Sequence, residues 1–245
     1  IGTTFEWVAT TTDLITGFPS GNQTTSTIPA MTLVNNCNTV GIVTFEITPK
    51  YNGCDGETTT VIVTVNPKPD INNITRTICS SDIINIIPEN NCNNGDIVPD
   101  DTLYTWTVTD NINVNGDVSE PTAQTTITQA LTNTTHTVQT VIYTVTPNSG
   151  SCIGDSFTVT VIVNPKPVVS NDVATICSGE TFTVVPLNIP PNQIIPSGTT
   201  YTWTVVPQPN ITGESNQGVP QNSVSQTLIN TTNVVQTVVY TVTPT

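Results

Sequence analysis

The stretch QTVIYTVTPNSGSCIGDSFTVTVIVNPKP, residues 139–167, holds two alternating runs on either side of a turn cluster. In the first run Val141, Tyr143 and Val145 alternate with Ile142, Thr144 and Thr146. In the second, Phe157, Val159, Val161 and Val163 alternate with Thr158, Thr160 and Ile162. A period of two is the mark of a half-buried strand, and Asn148-Ser149-Gly150-Ser151 between the runs is turn chemistry. The stretch therefore predicts a β-hairpin with one apolar and one threonine face. Threonine is β-branched and suits an exposed pleated surface without carrying charge. Proline has no backbone donor and cannot continue a ladder, so Asn164-Pro165-Lys166-Pro167 ends the second strand.

The same words recur at a fixed distance. VNPKP closes at Pro69 and again at Pro167; Cys54 and Cys152 are 98 residues apart, as are Cys79 and Cys177. Trp7, Trp106 and Trp203 each end an aromatic-x-Trp triplet, and Pro49, Pro147 and Pro244 close related strand-like runs. A fixed period of this length marks a tandem array, and about 98 residues suits one small domain. Three units follow: a partial repeat at 1–69, a complete repeat at 70–167 and a partial repeat at 168–245. The first has no ICS segment and the third stops before its GSC segment, so the chain reads as an excerpt of a longer array.

No stretch carries a sustained helical period. About seven short strands per unit, separated by turn clusters, predict an all-β fold of tandem immunoglobulin-like sandwiches arranged as a rod. In this reading Thr181–Pro186 is the first strand of its unit and Tyr201–Val205 the second. The tryptophans fall at inward positions and are assigned to the core in preference to a sugar-stacking platform.

Charge excludes several classes. With 4 basic residues against 18 acidic ones and a net charge of −14, the chain lacks the cationic cluster that nucleic acid or an anionic membrane surface requires. No run of about 18 apolar residues is available to insert in a bilayer. Periodic β-branched residues in each unit argue against disorder despite only 9% charged residues.

Catalytic and metal motifs are not found. His136, in a threonine-rich loop, is the single histidine; no triad or His-based metal motif surrounds it. The carboxylates are scattered over turns, so no enzyme is expected. The segment PENNCNNGDIVPDD (88–101) gathers oxygen ligands, and Asp96, Asp100 and Asp101 are its candidate calcium ligands. The favoured reading is that Asn and Asp occupy those positions because they suit turns. Neither a cofactor nor a metal is assigned.

Six cysteines without CxxC spacing point to disulfides rather than zinc. With the ICS cysteine placed at the start of the first strand and the GSC cysteine in the last hairpin turn, Cys79 and Cys152 fall at one end of the sandwich and are predicted to pair. Cys54 and Cys177 would have partners beyond the chain. Cys37 and Cys92 are placed at the far end of their own units, a domain length apart, and stay unassigned. A disulfide places the chain outside the reducing cytosol.

Pro67, Lys68, Pro69, Pro165, Lys166 and Pro167 form the interdomain linkers, semi-rigid because proline favours extended geometry. Their lysines are expected to pair with acids of the following unit, such as Asp70 or Asp172. Asn22, Asn73, Asn133, Asn210 and Asn230 begin Asn-x-Thr sequons.

In combination, TICSGETFTV, SGTTYTWTV, QTVVYTVTP, SCIGDSFTVTV and VNPKP resemble the PKD-like, immunoglobulin-type repeats of giant Bacteroidetes surface adhesins, with the SprB-type gliding adhesins of flavobacteria nearest. The resemblance covers essentially the whole chain. It implies an extracellular filament at the cell surface, exported by type IX secretion and moved by the gliding machinery against a substratum or surface polysaccharide. Adjacent repeats of the same long chain are then its immediate partners. Asp101-Thr102-Leu103 resembles the Asp-Thr-aliphatic O-glycosylation sequence of Bacteroidetes, which makes Thr102 a candidate glycan site. A polysaccharide-binding accessory module of a secreted enzyme is the competing function. A subunit completed by a neighbour's strand needs more assumptions than excision from an array.

Overall fold

The computed structural model describes residues 2–245, and no α-helix occurs among them. In the first repeat the main strands are β1 (Thr4–Thr10), β2 (Gln23–Thr25), β3 (Gly41–Tyr51) and β4 (Thr59–Val65). They form one sheet in the order β2-β1-β3-β4, antiparallel throughout.

The middle repeat contains β5 (Ile74–Cys79), β6 (Ile83–Ile86), β7 (Leu103–Val108), β8 (Glu120–Gln124), β9 (Ile127–Ala130), β10 (Gln139–Ser149) and β11 (Phe157–Asn164). Its large sheet has the order β8-β7-β10-β11-β5, and β6 pairs with β9. The hairpin foreseen from alternation is β10–β11, in register from Gln139 opposite Val163 to Val145 opposite Phe157. Its inward residues Val141, Tyr143, Val145, Val159, Val161 and Val163 are all 0–1% exposed. They meet Ile84, Ile86 and Ile127 from the β6–β9 pair, which closes the sandwich core. Thr105, Thr107, Thr144 and Thr146 lie on the other face, and Thr146 shares a 2.9 Å hydrogen bond with Ser156.

The third repeat contains β12 (Thr181–Val184), β13 (Tyr201–Val205), β14 (Gln217–Gln221), β15 (Val224–Thr227) and β16 (Tyr240–Pro244). β14-β13-β16 form one sheet and β12 pairs with β15.

In the third repeat Thr181–Val184 is the first strand and Tyr201–Val205 the second, as expected, but in the complete repeat one further strand precedes β6, the counterpart of Thr181–Val184. β5, not the counterpart of Thr181–Pro186, leads the complete repeat, and it runs parallel to β11 with Val159 opposite Ile74 and Asn164 opposite Cys79. Only three of the six residues of β5 are apolar or half-buried, so its period is weak. In the third repeat the matching segment, residues 171–177, forms no strand, and no counterpart of β11 lies among its described residues.

Candidate functional site: the joints between repeats

Each repeat presents a turn built by one asparagine at its C-terminal end. Asn35 Nδ2 donates to Thr39 O at 2.7 Å and to Val65 O at 3.0 Å, while its Oδ1 accepts from Cys37 N at 3.1 Å. Asn133, fully buried, donates to Thr137 O (2.7 Å) and Val163 O (2.9 Å) and accepts from Thr135 N (2.9 Å). Asn230 makes the corresponding bonds to Val234 O and from Thr232 N. One side chain thus folds the loop, ties it to the exit of the last strand where that strand is present, and fixes the residue two places on. That residue is Cys37, Thr135 or Thr232. Asn35, Asn133 and Asn230 recur at the array period, a signal in the sequence that points to this shared turn. Asn133 and Asn230 are sequon residues whose amides are consumed by these bonds.

The N-terminal end of the next repeat supplies the opposing loop. Asp70 and Ile97 exchange two backbone hydrogen bonds, which pins the loop that holds Cys92 against the linker exit. Val168 and Ile194 exchange the same pair in the third repeat. At the first joint these two loops are joined covalently: Cys37 bonds Cys92, with Cα atoms 5.2 Å apart. The domain-length separation expected of these two cysteines does not hold. Cys37 does lie at the far end of its repeat, but Cys92 lies at the near end of the next one, so the bond spans the joint and not a domain. At the second joint the same loops touch without cysteine. Thr135 and Pro190 border one shared hollow with Asn113 and Asn115, and Asn188 Nδ2 donates to His136 Nδ1 at 2.9 Å.

The Cys79–Cys152 pairing does not form, and both residues are free, as are Cys54 and Cys177. Cys79 ends β5 beside Asn164, whereas Cys152 lies in the turn before Phe157. The eight residues of β11 separate them, about 25 Å at the usual strand rise, and a disulfide requires Cα atoms within about 7 Å.

Lys68 pairs, as expected, with an acid of the following repeat, but that acid is Asp155 and not Asp70. Lys68 Nζ contacts Asp155 Oδ1 at 2.7 Å, in the last turn of that repeat. Side chains 54% and 81% exposed make this worth at most about 1 kcal/mol. Packing holds the linker more firmly: a Cβ on Gly154 would run into the Pro69 carbonyl and the Pro147 ring, so Gly154 lets the hairpin turn close on Pro69. Pro67 is buried, as is Pro69, whereas Pro165 and Pro167 are partly exposed and Lys166 forms no ion pair among the described residues.

The remaining candidates fall away from the joints. Trp7, Trp106 and Trp203 are 2–4% exposed, and their indole N–H groups donate to Thr25 Oγ1, Val118 O and Ser215 O. Thr102 is buried and its hydroxyl donates to Pro99 O at 2.6 Å, so it is not open to a glycan in the folded repeat. Asp96 accepts hydrogen bonds from Asn72 N and Nδ2. Asp100 and Asp101 occupy the turn after Pro99, and no set of three metal-ligating side chains gathers among the described residues. Burial pushes Tyr104 up to about 12 and raises Tyr143 further, and Lys50 is raised by hydrogen bonds to Glu6 and Asp55; these are features of core and surface packing.

No curated protein matches the chain. The crystal structure of chicken CNTN1 FN1-FN3 domains is 8% identical, with 93% of this chain and 78% of that one covered at a TM-score of 0.30, a likeness too slight to argue from. A family model described as PKD-like domain matches residues 1–69, 76–167 and 174–245. The chain belongs to the PKD-like domain family, as three tandem copies.

Proposed function

We propose that the chain is a structural and adhesive rod segment of a long cell-surface filament. PKD-like repeats are modules of structural or adhesion type, and with a closed disulfide they point to an extracellular protein. The observation that carries the reading is that the most elaborated contacts lie between repeats: a disulfide, an ion pair and a glycine-packed proline at the first joint. Such contacts set spacing and direction. The finer assignment, a gliding adhesin exported by type IX secretion, is supported by the sequence resemblance.

A carbohydrate-binding accessory module would need an exposed aromatic strip. Among the described residues Tyr51 is the single aromatic side chain in the exposed large hydrophobic set, and the three tryptophans are buried.

The test is the parent polypeptide and its location. Many such repeats, reached by antibody on intact cells and needed for attachment to a surface, is the expected result. Two or three repeats beside a catalytic domain would overturn it.

A further inference from the structure

We propose that the Cys37–Cys92 disulfide is a tension bypass: it carries force directly from the first repeat to the second and relieves the linker between them.

When a chain is pulled from its two ends, tension follows the shortest covalent path. With the disulfide closed, that path enters along β1, passes to Cys37, crosses the sulfur atoms and leaves from Cys92. Everything between the two cysteines, a sequence separation of 55, becomes a closed side loop. The loop contains β3 and β4, the linker Asn66-Pro67-Lys68-Pro69, and β5 and β6. It keeps its native pairing but lies outside the covalent load path. The Lys68–Asp155 contact and the packing of Gly154 on Pro69 are thereby protected.

The second joint makes the point by contrast. It uses the same two loops, with Thr135 in the place of Cys37 and Pro190 bordering the same contact. With no sulfur there, all tension passes through Val163–Pro167. The two joints are built from matching loops but differ in load path, so the first is inextensible and the second is where the chain yields.

The inference takes its purpose from the rod reading, but its test does not depend on that reading. The full 245-residue chain is unfolded by force from terminal handles, with and without a dithiol reductant. Reduction splits the S–S bond with two electrons and two protons and frees the side loop. At about 3.5 Å per residue, the reduced chain should release roughly 190 Å more contour length than the oxidised one. Cys37→Ser should release the longer length in either condition. Cys79→Ser with Cys152→Ser should leave the oxidised length unchanged. Equal lengths for the oxidised and reduced wild-type chain overturn the proposal, whereas a short parent polypeptide would overturn the rod function and leave the bypass standing.

Discussion

The hydroxyl of Tyr143 is buried without a hydrogen-bond partner, while its counterpart Tyr240 donates to Gln226 Oε1 at 2.8 Å. A buried polar atom left unpaired costs desolvation with nothing returned, and a made bond is worth about 1 kcal/mol. Tyr143→Phe should therefore leave the middle repeat as stable or more so, whereas Tyr240→Phe should lose about 1 kcal/mol in urea unfolding. The reverse order would contradict these hydrogen-bond assignments. Tyr104 offers a second test. Its folded pKa of about 12 lies above the ordinary value of 10.0 because burial disfavours the phenolate. The unfolded chain ionises first, so this contribution is complete below pH 10 and is lost as pH rises toward 12. Alkaline unfolding of Tyr104→Phe should set in at higher pH than that of the wild type. The inward placement of these tyrosines was legible from alternation alone. The pairing of the Tyr240 hydroxyl was not, because it depends on where the Gln226 side chain of the preceding strand β15 comes to lie.

Among the elements, the hairpin β10–β11 was the most legible, since two clean period-two runs flank a turn. β5 was the least: Thr75, Arg76 and Thr77 interrupt its apolar signal, and its place is fixed by parallel pairing with β11. With β5 unrecognised, Cys79 is read at the start of a strand instead of at the end of one, which puts it at the wrong end of the repeat and yields the wrong disulfide. Glycine marks another element hidden from the motifs. Gly17, Gly116 and Gly213 recur near the array period, have φ of 99°, 95° and 97°, and a Cβ on any of them would run into the carbonyl of Thr32, Ala130 or Thr227. Gly116→Ala combines left-handed strain with that clash and should cost about 2–3 kcal/mol, read as a drop in the unfolding midpoint. Asn133→Ala removes the bonds that fold the joint turn and tie it to Val163 O; a loss of about 1–3 kcal/mol is expected. A wild-type midpoint in either variant would show that the turn is held by something else.

On the scale of the whole molecule, the period, the three units and the sandwich class were readable because tandem copies repeat their own errors and signals alike. The joints were not readable, because their contacts pair positions from different repeats: Cys37 with Cys92, Lys68 with Asp155, and His136 with Asn188. If the two joints share one geometry, Thr135→Cys with Pro190→Cys should close a second bridge on oxidation and bring the sequences of both joints into the same covalent design. Failure to cross-link would mean that the second joint is set differently from the first.

The design of the first joint depends on which cysteines are joined. Proteolysis of the unreduced protein followed by mass spectrometry of the fragments decides it. The structure predicts one cross-linked fragment containing Cys37 and Cys92, with Cys54, Cys79, Cys152 and Cys177 recovered as free thiols. A fragment joining Cys79 to Cys152, or Cys37 and Cys92 recovered unlinked, would contradict it.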